Sequence, residues 1–254
     1  MTEFLPADIS VSASLFLIGF SAFTAFITGA AGIGGGTVLL AVMAIIMPAA
    51  SIIPVHGAVQ IGSNLGRTLL LAPHIQRHVL LPFIAGSVLG AGIGGLTVVQ
   101  LPPALLKAGL GCFILWSVWG PKVKAAGRMA VVGTGVVSTF LTMFFGATGT
   151  FVAAMVKTLK LGRLEHVATH SACMVAQHIV KVIVFGLLGF AFGPYLGLIV
   201  GMTVSGFLGI FVGTRFLIKM NDAIFHKVLA VVLTLLAARL ILEGISAYWH
   251  FPAT

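Results

Sequence analysis

Gly29-Ala30-Ala31-Gly32-Ile33-Gly34-Gly35-Gly36-Thr37 interrupts a long apolar run, and the helical stretch after it carries His56, Asn64 and Arg67. A second break, Gly146-Ala147-Thr148-Gly149, precedes a stretch carrying His170, His178 and Lys181. His56 and His170, Asn64 and His178, and Arg67 and Lys181 are each 114 positions apart (170 − 56, 178 − 64, 181 − 67). Shared composition alone does not keep three polar positions in an ungapped register; a duplicated structural unit does. Two repeats, each with a broken helix and one cation at membrane depth, form the pattern expected of a carrier for an anion.

The bulk composition agrees. Hydrophobic residues make up 59% of the 254 and charged residues 7%, and the mean hydropathy is +1.17, whereas a soluble domain devotes about a quarter of its residues to charge. The expectation is an all-α integral membrane protein forming one transmembrane domain over 1–254, with repeat one at about 10–120 and repeat two at about 129–246. At about 20 residues per crossing, no separate soluble domain fits. The formal charge of +9 does not point to nucleic acid, because the cations sit in short interhelical links, where they set orientation. Cys112 and Cys173 stand in apolar stretches without a partner motif, so no disulfide, metal or cofactor is expected. Residues 1–8 contain Glu3 and Asp8 and no basic residue, so the first apolar segment is expected to stay rather than be cleaved as a signal peptide.

Apolar segments fall at about 10–28, 33–47, 54–72, 79–99, 104–120, 129–145, 148–157, 167–191, 194–214 and 224–246, with Pro48, Pro54, Pro73, Pro82, Pro102, Pro103, Pro121 and Pro194 at or near their ends. Suppose each Gly-broken run is a hairpin entering and leaving by one face, and every other segment crosses once. Arg77, Lys122, Lys124, Arg128, Lys157, Lys160, Arg163, Arg215, Lys219 and Lys227 then share a face, ten of the 14 Lys and Arg. That face is cytoplasmic by the positive-inside rule, and both termini lie outside with the links at 48–54, 100–103 and 192–195. A hairpin plus three crossings makes the second repeat inverted relative to the first, a frame for alternating access. Gly86, Gly90 and Gly94 are echoed by Ser205, Gly209 and Gly213, each 119 further on (205 − 86, 209 − 90, 213 − 94), and such spacing allows close helix packing.

On these boundaries Arg67 stands about 12 residues into its helix and Lys181 about 14, beyond easy reach of water, with no carboxylate at that depth. An unpaired cation there costs about 2.5 to 3.5 kcal/mol, so a permeating anion is the missing partner; the alternative is a pair of structural cations bonded to backbone carbonyls near the breaks. Gly34, Gly35, Gly36 and Thr37 in repeat one, with Thr148, Gly149 and Thr150 in repeat two, are candidates to hold an oxyanion on helix-start N–H groups. His170 and His178 are candidates for substrate or proton contact. His56 is another, or else an interfacial residue at a helix end. Gln60, Ser63, Asn64 and Gln177 line the same cavity or else serve as packing amides and hydroxyls. Arg239 and Glu243 read as a local i,i+4 ion pair.

The glycine break at 29–36, the series Gly86-Ser-Val-Leu-Gly90-Ala-Gly92-Ile-Gly94, and Ala168-Thr-His-Ser171 with its following helix resemble the sulfite exporter TauE/SafE family. The resemblance runs from about 15 to 245 and implies a bacterial multi-pass inner-membrane protein that exports sulfite, organosulfonates or related small anions. The second break departs from the family by reading Gly149-Thr150-Phe151-Val152 where a glycine run is usual, so a tighter second hairpin is expected. An anion channel of the same fold would share these charges, and a membrane accessory protein would need no matched cations. An enzyme is not expected: no intramembrane carboxylate is present, and Ser63 near Arg67 has no base. The expected partners are a small anion, protons and the lipid bilayer.

Overall fold

A computed structural model describes residues 5–31, 34–98, 102–120, 127–146, 148–215 and 222–249. Gly32, Ala147, the link cations Lys122, Lys124 and Lys219, and Glu3 lie outside the described residues, as does part of the 100–103 link. The regular structure among the described residues is helical: α1 (Val11–Ala31), α2 (Gly35–Ile46), α3 (Ala49–Leu70), α4 (Arg77–Val98), α5 (Pro103–Trp119), α6 (Arg128–Phe145), α7 (Gly149–Thr158), α8 (Arg163–Leu187), α9 (Leu196–Thr214) and α10 (Asp222–Trp249).

Six of these are long and apolar enough to cross a membrane: α1, α4, α6, α8, α9 and α10. The sequence expected α3 and α5 to cross as well. At 17 residues α5 is only about 25 Å long, and α3 has the length but carries a polar face. The two hairpins are unequal in their arms. In the first, α1 has 21 residues and α2 has 12; in the second, α6 has 18 and α7 has 10. The outgoing arm of each is therefore long enough to cross and the returning arm about half that. Two prolines expected at segment ends lie inside helices, Pro54 in α3 and Pro82 in α4. The carbonyl that Pro54 cannot serve belongs to Ala50, which is exposed in the first turn, so the missing bond falls where an outside partner can replace it.

Tyr195 donates a hydrogen bond to Asp8, and Ser51 also bonds to Tyr195, which gathers the chain start, the start of α3 and the α8–α9 link at one end of the bundle. At the other end the Gln76 amide group donates to Glu165 at 2.9 Å, and its backbone N–H donates to Thr169 Oγ1 at 3.1 Å. Helix α3 runs from the first end to the second and α8 runs back, so the two are antiparallel.

The most extensive packing joins α4 to α6, α1 to α9, α5 to α10 and α3 to α8, followed by α3 with α9 and α4 with α8. Exchanging α1–α5 for α6–α10 converts the first pair into the second and the fifth into the sixth, and leaves the α5–α10 and α3–α8 pairs unchanged. Small residues permit the close approach in the α4–α6 and α1–α9 pairs. A Cβ at Gly86 or Gly90 would collide with the carbonyls of Val132 and Val136 on α6, and one at Gly209 or Gly213 with those of Ala22 and Phe26 on α1. Ser205 donates to the Ile18 carbonyl at 2.6 Å. The short arms are the buried ones: Leu39, Leu40 and Met43 of α2 pack with Ile52, Val55, Leu110, Ile114 and Leu240, and Val152, Met155 and Val156 of α7 pack with Val79, Phe83 and Met174.

Candidate functional site

Each hairpin turns back inside the protein and is fastened to a long polar helix, hairpin one to α3 and hairpin two to α8. His56 Nε2 lies 3.0 Å from the Gly36 carbonyl, and His170 Nε2 lies 3.0 Å from the Gly149 carbonyl. A carbonyl can only accept, so in both rings Nε2 carries the proton. Around His56 the Gln60 amide approaches Nε2 at 3.2 Å and Ser63 Oγ at 2.7 Å. On the other side Gln177 spends its amide on Ser138 and Thr139 of α6, at 3.0 and 3.2 Å, and accepts from Thr148 Oγ1 at 3.2 Å. His56 is thus not interfacial: it is 1% exposed, because α3 begins at Ala49 rather than 54.

The same shift in boundaries moves the cations. Arg67 lies 18 residues beyond the start of α3 and Lys181 18 beyond the start of α8 (67 − 49, 181 − 163), rather than 12 and 14. Each therefore nears the far end of its helix, yet both are fully enclosed, at 1% and 0% exposure. Lys181 lies with His56 and His178, and Arg67 with His170, and the two groups meet where His170 faces His178. The rings of His56 and His178 stand edge-on, 6.0 Å apart. The antiparallel pairing of α3 with α8 produces this arrangement, since a residue near the start of one helix faces one near the end of the other.

The two cations differ in their bonding. Arg67 Nη2 donates to Asn64 Oδ1 at 2.8 Å, Asn64 itself being held by the Gln60 carbonyl, and Nη1 reaches the Thr28 carbonyl at 3.5 Å. Thr28 is in the last turn of α1, whose carbonyls lack intrahelical donors, so Arg67 ties off the end of hairpin one's long arm. The register counterpart of Thr28 is Thr142 (142 − 28 = 114), and its carbonyl already accepts from the Gly146 N–H at 3.1 Å. Gly146 does this in a left-handed conformation, φ 66°, which glycine adopts without strain. Lys181 Nζ has no hydrogen-bond partner among the described residues. Its side chain instead lies across Gly57 of α3, where an added Cβ would come 2.5 Å from Cε and 3.3 Å from Nζ. His56 Nδ1 and His178 Nδ1 are likewise buried without partners.

The helix starts at the hairpin tips carry no side-chain cap. Gly34, at φ 104°, precedes α2 and Thr148 precedes α7, and Thr148 spends its hydroxyl on Gln177. The N–H of Thr37 already bonds to the Gly34 carbonyl, which leaves the amides of Gly35 and Gly36 as the anion-facing candidates there. A Cβ at Gly36 would strike the Gln60 amide. Thr150 shares its hydroxyl with Ser117 of α5, away from α8. The Arg239–Glu243 pair forms at 2.9 Å, joined by Lys107 from α5 at 2.9 Å.

The sequence reading missed Thr28, Gly57, Ser138, Thr139 and Thr142. Extending the 114-residue register backwards would have found three of them, Thr28 with Thr142 and Ser138 opposite Thr24 (142 − 28, 138 − 24); Gly57 had no signal beyond its smallness.

A model of the sulfite exporter TauE/SafE family matches residues 15–240. No curated protein and no solved structure matches the chain.

Proposed function

This chain belongs to the sulfite exporter TauE/SafE family, and from that premise we propose that it is a carrier that exports a small oxyanion, sulfite or an organosulfonate, across the bacterial inner membrane by alternating access. The observation that carries the reading is Lys181: an ammonium with 0% exposure and no hydrogen-bond partner among the described residues. The ion pairs among those residues are both with Glu243, far along α10. A buried, unpaired ammonium costs about 2.5 to 3.5 kcal/mol, and an anion that passes through the centre removes that cost while bound.

The reciprocal packing of α1–α5 and α6–α10, with α3 and α8 antiparallel, supports two inverted repeats; the proposed orientation, with both termini outside, follows from the positive-inside rule. The hairpin tips reach past one another, since tip two lies against Leu40 and Ile53 near one end of α3, while Gly29 of tip one packs on Ile210 and Gly213 of α9. In this reading the anion is held between them. Lys181, His56 and His178 contact it from one side, and His170, Arg67, Asn64, Gln60, Ser63 and Gln177 keep the tips in place or line the path. A channel of the same fold would conduct without coupling.

The test is flux in proteoliposomes, together with thermal stabilisation of purified protein by sulfite, sulfate, taurine and simple carboxylates. A ligand at a hundred times its dissociation constant stabilises by about 2.7 kcal/mol. Stabilisation by sulfite that disappears in Lys181→Met is expected; equal stabilisation of the variant refutes the assignment, and unitary currents far above carrier turnover would make the protein a channel.

A further inference from the structure

The centre around Lys181 contains an acceptor as well as a donor. His56 commits its Nε2–H to the Gly36 carbonyl. The Gln60 amide beside it is best turned with its oxygen toward that N–H and its NH2 toward Ser63, since two donors cannot share one hydrogen bond. Nδ1 of the neutral ring is then a lone pair, enclosed and without a donor among the described residues. His178 presents a second unpartnered Nδ1 from α8, and Lys181, one turn further along α8, supplies three N–H donors and no acceptor. The other titratable group that faces this centre is His170, which lies toward His178 and links it to Arg67; its Nε2–H is already committed to the Gly149 carbonyl.

An ammonium alone would accept any anion. The lone pair on His56 discriminates, because a fully deprotonated oxyanion turns its own lone pairs toward Nδ1 and leaves it unsatisfied. An oxyanion that carries an acidic O–H donates that hydrogen to Nδ1 while its remaining oxygens accept from Lys181. Resting on the reading of Lys181 as the substrate's counter-ion, we propose that the His56–His178–Lys181 centre selects protonated oxyanions of the hydrogensulfite type over organosulfonates and other anions that lack an O–H.

Two matched pairs of monoanions test this on the full-length protein by titration calorimetry at one mildly acidic pH. Hydrogensulfite is compared with methanesulfonate, and hydrogencarbonate with nitrate. The O–H member of each pair should bind about tenfold tighter or more, the scale of one buried acceptor left unpaired. In His56→Gln the preference should shrink while methanesulfonate binding persists; if that variant does not fold, the wild-type ratios decide. Equal binding within both pairs, lost in Lys181→Met, overturns the selectivity and leaves Lys181 as the anion's partner. Binding of all four anions unchanged by Lys181→Met, or no binding by the wild type, overturns both.

Discussion

Arg67 and Lys181 occupy equivalent register positions, yet their replacement by methionine should shift stability in opposite directions. Lys181→Met removes an enclosed ammonium that has no hydrogen-bond partner among the described residues. The side chains are similar in length, so the cavity stays filled and the gain is about 2 to 3 kcal/mol, most of the cost of a cation at that depth. Arg67→Met relieves a similar burial cost, but it also breaks the bonds to Asn64 Oδ1 and the Thr28 carbonyl. Each acceptor left without a donor costs about 1 to 3 kcal/mol, so the change comes out near zero or destabilising. The gap between the variants should therefore be about 2 kcal/mol or more, which for a chain of this size is roughly 4 to 8 °C in apparent melting temperature. The assay is thermal unfolding of the purified protein in detergent without anion, then with sulfite. The expected result is a Lys181→Met protein that melts higher than wild type, inserts normally and gains nothing from sulfite. An Arg67→Met protein that melts above Lys181→Met would refute the reasoning, because it would mean that the Arg67 bonds hold nothing together.

Other outcomes follow from the same geometry. Gly57→Ala should insert and fold, yet lose about tenfold or more in sulfite affinity by isothermal titration, since its Cβ would stand 2.5 Å from Lys181 Cε and displace the ammonium; unchanged affinity would remove Gly57 from the site. In a background lacking Cys112 and Cys173, cysteines at Ala50 and Pro194 should react with an impermeant reagent on intact cells and one at Lys160 should not. Ala50 is exposed whereas the neighbouring Ser51 is 1% exposed, and labelling of Lys160→Cys from outside would reverse the proposed orientation. No Asp or Glu is buried among the described residues, so flux should be independent of a sodium gradient. Any coupling should respond to pH through His170 or His178, and sodium-driven accumulation in proteoliposomes would contradict this.

How much of this was legible in the sequence depends on whether the signal lay in spacing or in reach. The 114-residue register placed His56 with His170 and Arg67 with Lys181 before any coordinates, because duplicated helices keep their polar positions at fixed intervals. The small-residue series at Gly86 and Gly209 likewise marked the close α4–α6 and α1–α9 contacts. Helix boundaries were less visible: Pro54 reads as a helix start, but it lies buried in the second turn of α3, and the carbonyl it cannot serve is that of exposed Ala50, so the lost N–H costs little. That displacement of five residues hid the burial of His56 and put Arg67 nearer the middle of its helix, whereas it stands in the last turn of α3.

The asymmetry between the cations was the least legible feature, because it is decided by backbone bonds that no residue type announces. Gly146 takes a left-handed conformation and returns its N–H to Thr142, so the end of α6 is closed by its own backbone. The end of α1 is closed instead by a side chain from another helix, Arg67. Two repeats with one ancestral pattern thus reach different solutions at the same place. In one the cation serves as a strut for the hairpin; in the other the strut is unnecessary, and in the proposed function the cation is left for the anion. A carrier needs that difference: if both cations were bonded equally well to the protein, an arriving anion would have to displace existing bonds at each, and little binding energy would remain to distinguish the loaded state from the empty one.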